Sequence, residues 1–191
     1  MTLRQLLREK RDVIARSWLE GILATYPGNS AVIFAREKDR FANPVGHTMR
    51  VSSEGILDAV LDGADLEEVQ KHLREIIKIR AIQQFAPSQA VGFVLQLKEV
   101  VRTGLGGAAA DPEFSEELAA LDAQVDRIAL VAFDTYVECR EQVYELRINE
   151  VKRQVSWIMG KVNKRERHPE LVQISRKRSS DGGNPGREDF R

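Results

Sequence analysis

A proline-free run in the second half of this 191-residue chain constrains its fold more than any other feature. No proline occurs between Pro112 and Pro169, and acidic residues lead the run while basic residues end it, as the helix macrodipole favours. We predict one helix from Glu113 to about Arg165, which would reach ~80 Å at about 1.5 Å per residue. A domain of this size does not need so long a helix, so we expect part of it to contact something else.

The spacing of apolar residues divides this predicted helix into three zones. From Phe114 to Ile128 they recur at steps of three and four, which predicts one buried stripe. Residues 128–137 are apolar nearly all round, which predicts a segment covered on several sides. From Tyr144 the steps become a heptad, which predicts a coiled-coil extension over 144–165. Its seam, the contact line of a helix-to-helix dimer, consists of Tyr144, Ile148, Val151, Val155, Ile158 and Val162.

Two alternatives remain open for the seam. It is shorter than three heptads, so the same residues could instead pack on the chain's own domain. The orientation of a dimer is also open, because residues 111–138 hold eight acids and one base, whereas residues 139–168 hold eight bases and four acids. Two isolated helices of this kind would pair antiparallel. Parallel pairing remains possible if the acidic half is docked on its own domain.

The rest of the chain predicts a compact set of shorter helices, with about six helices in total. Helical periodicity and capping signals place them at 2–26, at about 30–40, from Pro44 to Asp62, from Leu66 to about Gln84, and from Pro87 to Thr103. Small residues over 104–110 form a link to the long helix. We therefore predict an all-α domain over residues 1–165 and a disordered polar tail over 166–191.

Composition argues against several classes of function. Lysine plus arginine and aspartate plus glutamate both total 29, so no net field draws the chain to nucleic acid or a membrane. No apolar run approaches the roughly 18 residues of a membrane span, and the single cysteine suits a reducing compartment, so we expect a soluble cytoplasmic protein. The three histidines, His47, His72 and His168, lack metal-ligand spacing, and no nucleophile motif occurs. We predict no metal, no cofactor and no catalysis.

Polar residues around two helix ends form the candidate ligand or signal site. Arg80 falls on the same helix face as apolar residues, so it either extends from the core edge or is paired inside the protein. Asp39 could be its partner, although only their charges suggest this pairing. A hydrogen-bond network that fixes the bend at Pro87 explains the same pattern as well as a ligand site does. The candidate residues are Asp39, Arg40, Asn43, Arg80, Gln84, Ser88 and Gln89.

Four stretches of the sequence resemble the N-terminal sensor domain of RsbT co-antagonist proteins of the RsbR and RsbRD type. They are Trp18 with Thr25-Tyr26-Pro27, Asp-Arg-Phe-Ala-Asn-Pro-Val-Gly at 39–46, Arg-Ala-Ile-Gln-Gln-Phe-Ala-Pro-Ser-Gln-Ala-Val at 80–91, and the segment 139–153. The resemblance implies a globin-like fold without haem that dimerises along its last helix. His72, one step off the apolar face, is not expected to bind haem. The STAS domain that follows in RsbR proteins is missing here, so we expect a stand-alone module.

We therefore predict a non-enzymatic, homodimeric sensor module that relays a signal to an unidentified protein partner through its long helix. The alternative is a domain that binds a small ligand or cofactor near Arg80.

Overall fold

The regular secondary structure of the described residues is entirely helical. The computed structural model describes residues 2–26, 34, 39, 41–63 and 65–167, and only the backbone of 164–167. Six α-helices have defined bounds within these ranges, where no strand occurs, and two 3-10 turns (Gly106–Ala110 and Pro112–Phe114) precede the last of them. The helices are α1 Leu3–Glu9, α2 Arg11–Ala24, α3 Pro44–Asp62, α4 Leu66–Ile82, α5 Pro87–Leu105 and α6 Ser115–Arg167.

Local capping chemistry places most of the helix ends where the sequence predicts them. The Asn43 side chain accepts a hydrogen bond from the Gly46 amide, and Pro44 occupies the first turn of α3. Gly63 ends α3 with φ 71°, a left-handed conformation that glycine adopts without steric cost. Asp65 caps α4 through the Glu68 amide. The predicted all-α class and the long last helix are confirmed.

The predicted first helix over 2–26 is broken at Lys10. This residue has φ −93° and ψ 1°, so the chain turns between α1 and α2. The turn lets α1 and α2 each bury an apolar face, although Val13 of α2 is 56% exposed. The predicted short helix over 30–40 falls almost wholly outside the described residues. So does the predicted tail over 166–191, except for residues 166 and 167, which belong to α6.

The chain divides into two units, of which the first ends at Val143 and the second begins at Tyr144. In the first unit, α3 packs on α4, and α2 packs between α3 and α5. Trp18 is fully buried in this core, where its Nε1 donates to the Phe93 carbonyl at 2.8 Å and its ring stacks on the Phe93 ring.

The part of α6 within the first unit buries one stripe, as its sequence predicts. Val125, Ile128 and Ala132 have no exposed surface. Three acidic residues beside this stripe form ion pairs with bases on α4 and α5, and these pairs are Asp122 with Arg102, Asp126 with Lys98, and Glu138 with Arg74. The acidic half of the helix is thus docked on its own domain.

The prediction that residues 128–137 are covered on several sides is wrong. Leu130, Phe133 and Val137 are 69%, 48% and 39% exposed, although Thr135 and Tyr136 between them are buried. The reason is that α4 and α5 lie against one side of the helix only. The outer side of this segment is an apolar surface.

The described part of the second unit is a single α-helical segment. All of its described side chains, from Tyr144 to Asn163, are exposed. None of the helices in the described ranges is long and apolar enough to cross a membrane.

Candidate functional site

Arg80 lies at the centre of the candidate site and is completely buried. Its Nη1 donates to the Gln89 carbonyl at 2.7 Å. Its Nη2 donates to the Ile22 carbonyl at 3.1 Å and to the Thr25 Oγ1 at 3.0 Å. These hydrogen bonds link the last turn of α4 to the end of α2 and the start of α5. Of the two predicted settings for Arg80, the interior one is the one observed.

The Arg80 guanidinium is surrounded by aromatic rings rather than by carboxylates. The ring centroids of Tyr26, Phe85 and Phe93 lie 5.8, 5.2 and 4.9 Å from its Cζ, distances at which a cation is attracted to a ring face. No carboxylate among the described residues forms an ion pair with it. Burial therefore lowers the pKa of Arg80, and its interaction with Tyr26 partly offsets this shift.

Two polar atoms of this centre, the Nε of Arg80 and the hydroxyl of Tyr26, have no hydrogen-bond partner among the described residues. Burial also raises the pKa of Tyr26, and the nearby Arg80 charge acts in the opposite direction. A buried charge held by carbonyls, one hydroxyl and ring faces is an unusual arrangement, since most buried charges have a charged partner. A charge that is costly to bury therefore lies where α2, α4 and α5 meet.

The suggested pairing of Asp39 with Arg80 does not form. Asp39 is exposed, and its Oδ1 accepts from the amides of Phe41 and Ala42 at 2.6 and 3.3 Å. This local turn satisfies the carboxylate close to its own backbone, whereas Arg80 is buried elsewhere. Arg40, also a candidate, lies outside the described residues.

Asn43 is buried and joins two parts of the chain. Its Oδ1 accepts from the Gly46 amide at 2.8 Å, and its Nδ2 donates to the Phe34 carbonyl at 3.0 Å. Its role is therefore that of a helix cap that also anchors the preceding segment.

Replacing Asn43 by alanine is expected to lower the free energy of unfolding by about 2 kcal/mol, because a buried cap and a second hydrogen bond are lost together. Asp65→Ala is the matched control, since Asp65 caps α4 by one exposed hydrogen bond of 2.9 Å. It should cost about 1 kcal/mol or less. Urea unfolding measures the free energy of unfolding of each variant. Equal decreases in the two variants would show that the hydrogen bond from Asn43 to Phe34 contributes nothing to stability.

The other three candidates around Pro87 are exposed and do not converge on the guanidinium. Gln84 has φ 63° and forms the turn after α4. The Gln89 side chain accepts from the Ala86 amide at 3.3 Å, and only the Gln89 carbonyl reaches Arg80. No hydrogen bond of the Ser88 side chain is found among the described residues. The predicted network at the Pro87 bend therefore exists, but backbone carbonyls supply most of it.

Two residues of α6 that sequence reasoning missed hold the same turn from the other side. The Tyr136 hydroxyl donates to the Phe85 carbonyl at 2.7 Å, and Arg140 Nη1 donates to the Ala81 carbonyl at 3.0 Å. Tyr136, which lies within the apolar segment 128–137, was the available signal, whereas Arg140 lies among Glu138, Glu141 and Gln142 and gave none. These hydrogen bonds connect the turn that carries Arg80 directly to the long helix.

Cys139 lies next to this contact and is buried, with 4% of its surface exposed. Burial raises the pKa of its thiol, which keeps it protonated at neutral pH. Among the described residues, no three side chains of histidine, cysteine, aspartate or glutamate lie together as metal ligands would. His72 packs over Gly55 of α3, where an added Cβ would lie 2.4 Å from its ring.

The six predicted seam residues all lie in the second unit with large apolar surfaces exposed. Their exposed fractions run from 43% for Val162 to 57% for Val151. The same helix segment also exposes Leu146, Trp157 and Met159 off the seam.

Comparison with known proteins identifies one family. The model of the RsbT co-antagonist protein rsbRD N-terminal domain matches residues 12–151, which is most of the chain. No curated protein and no solved structure gives a significant match. The globin-like topology therefore remains a prediction. The matched family is a regulatory sensor domain of stress signalling. The chain belongs to the family of RsbT co-antagonist rsbRD N-terminal domains.

Proposed function

We propose that this protein is a homodimeric regulatory module that relays a signal by protein–protein contact through α6. The observation that carries the proposal is the exposed heptad stripe on the second unit, from Tyr144 to Val162. In an isolated chain, six large apolar side chains at alternating steps of four and three are exposed to water. Packing against the equivalent stripe of a second copy buries them. In this proposal the module performs no catalysis and acts in the cytoplasm, which its single buried thiol suits.

The contacts of α6 in the first unit supply a way for a signal to enter the helix. Tyr136 donates to Phe85 in the turn after α4, and Arg140 donates to Ala81 in the last turn of α4. From that last turn, Arg80 binds the end of α2 and the start of α5. A change in that turn would alter the hydrogen bonds that position α6. In this proposal, the Arg80 centre is the internal support of the relay rather than a ligand site, because Arg80 is completely buried and its three hydrogen bonds join α4 to α2 and α5.

Parallel pairing is the orientation that the ion pairs favour. Asp122, Asp126 and Glu138 are already neutralised by bases of the first unit, so they are not available to attract the basic half of a second helix. The charge argument for an antiparallel dimer is thereby weakened.

A cysteine cross-link tests this orientation. In a Cys139→Ser background, Ile148→Cys places one thiol near the start of the seam, where a parallel dimer brings the two copies of that thiol together and an antiparallel dimer centred on the seam keeps them ~15 Å apart. Mild oxidation should then give a covalent dimer on a non-reducing gel. Ser156→Cys is the matched control on the outer face and should cross-link much less. Equal cross-linking of the two variants would contradict a parallel seam.

Affinity capture tests the relay itself. The tagged full chain is used to capture proteins from a lysate of its own cells, beside a chain that ends after Val143 and a full chain with Val151→Asp and Val155→Asp. A partner that contacts the long helix should be recovered with the intact chain and lost with both variants. Recovery of the same partner with all three chains would place the contact elsewhere and contradict the relay through α6.

A further inference from the structure

A groove on the first unit lies where α1 and the end of α3 meet the start of α6. Its volume is about 290 Å³, at the lower end of what small-molecule sites have. It is separate from the Arg80 centre, and no residue of that centre lines it. Three different helices form its walls, so a molecule bound there would contact the N-terminal helix and the long helix together.

The floor of this groove is apolar. Leu3, Val60 and Leu61 are buried beneath it, and the side chain of Leu121 is only partly covered. A volume of this size holds roughly ten groups as large as a water molecule, which takes about 30 Å³. The apolar lining residues are Leu3, Leu7, Val60, Leu61, Ala120 and Leu121.

The polar residues of the groove are weighted towards positive charge. Arg4 and Arg127 both line it, against one acid, Glu117, and one amide, Gln124. Neither arginine forms an ion pair with a carboxylate of the described residues. Arg127 is also the single base among residues 111–138 of the sequence. An arginine in so acidic a segment, without an ionic partner in the described part of the chain, leaves its charge available to a ligand.

The Arg4 guanidinium has a defined place. Its Nη2 lies 3.2 Å from where a Cβ on Gly63 would be, at the carboxyl end of α3. A helix carboxyl end carries partial negative charge and attracts a cation. Arg4 therefore lies close to the carboxyl end of α3, and Arg127 lines the groove from α6.

We propose that this groove binds an amphiphilic carboxylate of medium acyl length. Its hydrocarbon chain lies on the leucine and valine floor, and its carboxylate accepts hydrogen bonds from Arg4 and Arg127. Arginine presents several N–H donors in a fork that matches a carboxylate. This inference goes beyond the proposed function, because binding in the first unit does not require the dimer.

Titration calorimetry of the full chain with decanoate tests the proposal. Decanoate should bind saturably, and decanol, which has the same chain without the charge, should bind about tenfold more weakly or worse. Arg4→Gln and Arg127→Gln should each weaken decanoate binding by about tenfold or more. Arg147→Gln, which removes an exposed arginine of the second unit, is the matched control and should change nothing.

The proposal is overturned by any of three results: no saturable binding of decanoate, equal binding of decanol, or unchanged binding by both glutamine variants. Ala120→Trp adds an independent check, since an indole ring on the groove wall should block the floor without removing a charge. Retained binding in that variant, with an unchanged circular dichroism spectrum, would also overturn it. A negative result in these binding experiments would not contradict the proposed dimer or its contact with a partner protein, because molecular mass and affinity capture test those separately.

Discussion

Arg80→Ala is expected to lower the free energy of unfolding by about 3 kcal/mol or more. The substitution removes three hydrogen bonds at once and leaves the carbonyls of Ile22 and Gln89 and the hydroxyl of Thr25 without this donor. Each buried acceptor that loses its partner costs about 1–3 kcal/mol, and the emptied volume adds a cavity term. Removing a buried charge recovers some of its desolvation cost, which keeps the expected loss below the full sum.

Two further variants separate the causes of that loss. Arg80→Met keeps much of the side-chain volume but supplies no donor, so it should recover only the cavity part. Arg102→Ala is the control for arginine removal as such, because Arg102 is exposed and pairs with Asp122 at the surface. It should cost no more than about 1 kcal/mol. If chemical unfolding shows Arg80→Met to be as stable as the parent, the hydrogen bonds of Arg80 do not hold the three helices together.

Local signals in the sequence were enough to predict most helix ends. Asn43 before Pro44, Gly63 and Asp65 each act through backbone groups within a few residues, and such interactions can be inferred without knowing the fold. The start of the heptad at Tyr144 also coincides with the start of the second unit. The two positions agree because the spacing of apolar residues along a helix depends on what packs against it, and the spacing changes where the packing partner changes.

Interactions between distant residues could not be predicted in the same way. Arg80 was recognised as an unusual residue on an apolar face, but its partners Ile22 and Thr25 lie more than fifty residues earlier in the chain. Charge suggested Asp39 instead, and that suggestion was wrong because backbone carbonyls can satisfy a guanidinium as a carboxylate can. Nothing in a single sequence marks a carbonyl as a partner.

Apolar composition also failed to predict burial along α6. Leu130 and Val137 are apolar but exposed, since composition does not show how many neighbours surround a helix. In the sequence these two residues precede Tyr144 at intervals of seven. At this spacing the two residues lie on the same helix face as Tyr144 of the proposed seam. Contact with a second helix along that face would explain why apolar residues occupy exposed positions.

Replacing Val151 and Val155 together by aspartate is expected to convert the proposed dimer to a monomer. Both side chains lie on the proposed seam and are more than half exposed in the single chain, so the change should not disturb the first unit. In a dimer, four carboxylates would face one another across a desolvated interface, which costs several kcal/mol. Thermal unfolding of the first unit should be unchanged in the variant.

A matched control adds the same charge to the outer face of the same helix segment. Asn149→Asp with Ser156→Asp places two carboxylates at exposed positions off the seam. That variant should keep the molecular mass of the parent. A loss of mass in both variants would mean that added negative charge, rather than the seam, controls association.

The molecular mass of the intact chain in solution tests the central claim most directly. Size-exclusion chromatography with multi-angle light scattering should give twice the chain mass of 21.6 kDa for the parent and 21.6 kDa for the Val151→Asp, Val155→Asp variant. A parent mass of 21.6 kDa across the accessible concentration range, or no difference between parent and variant, would contradict a module that pairs through its long helix.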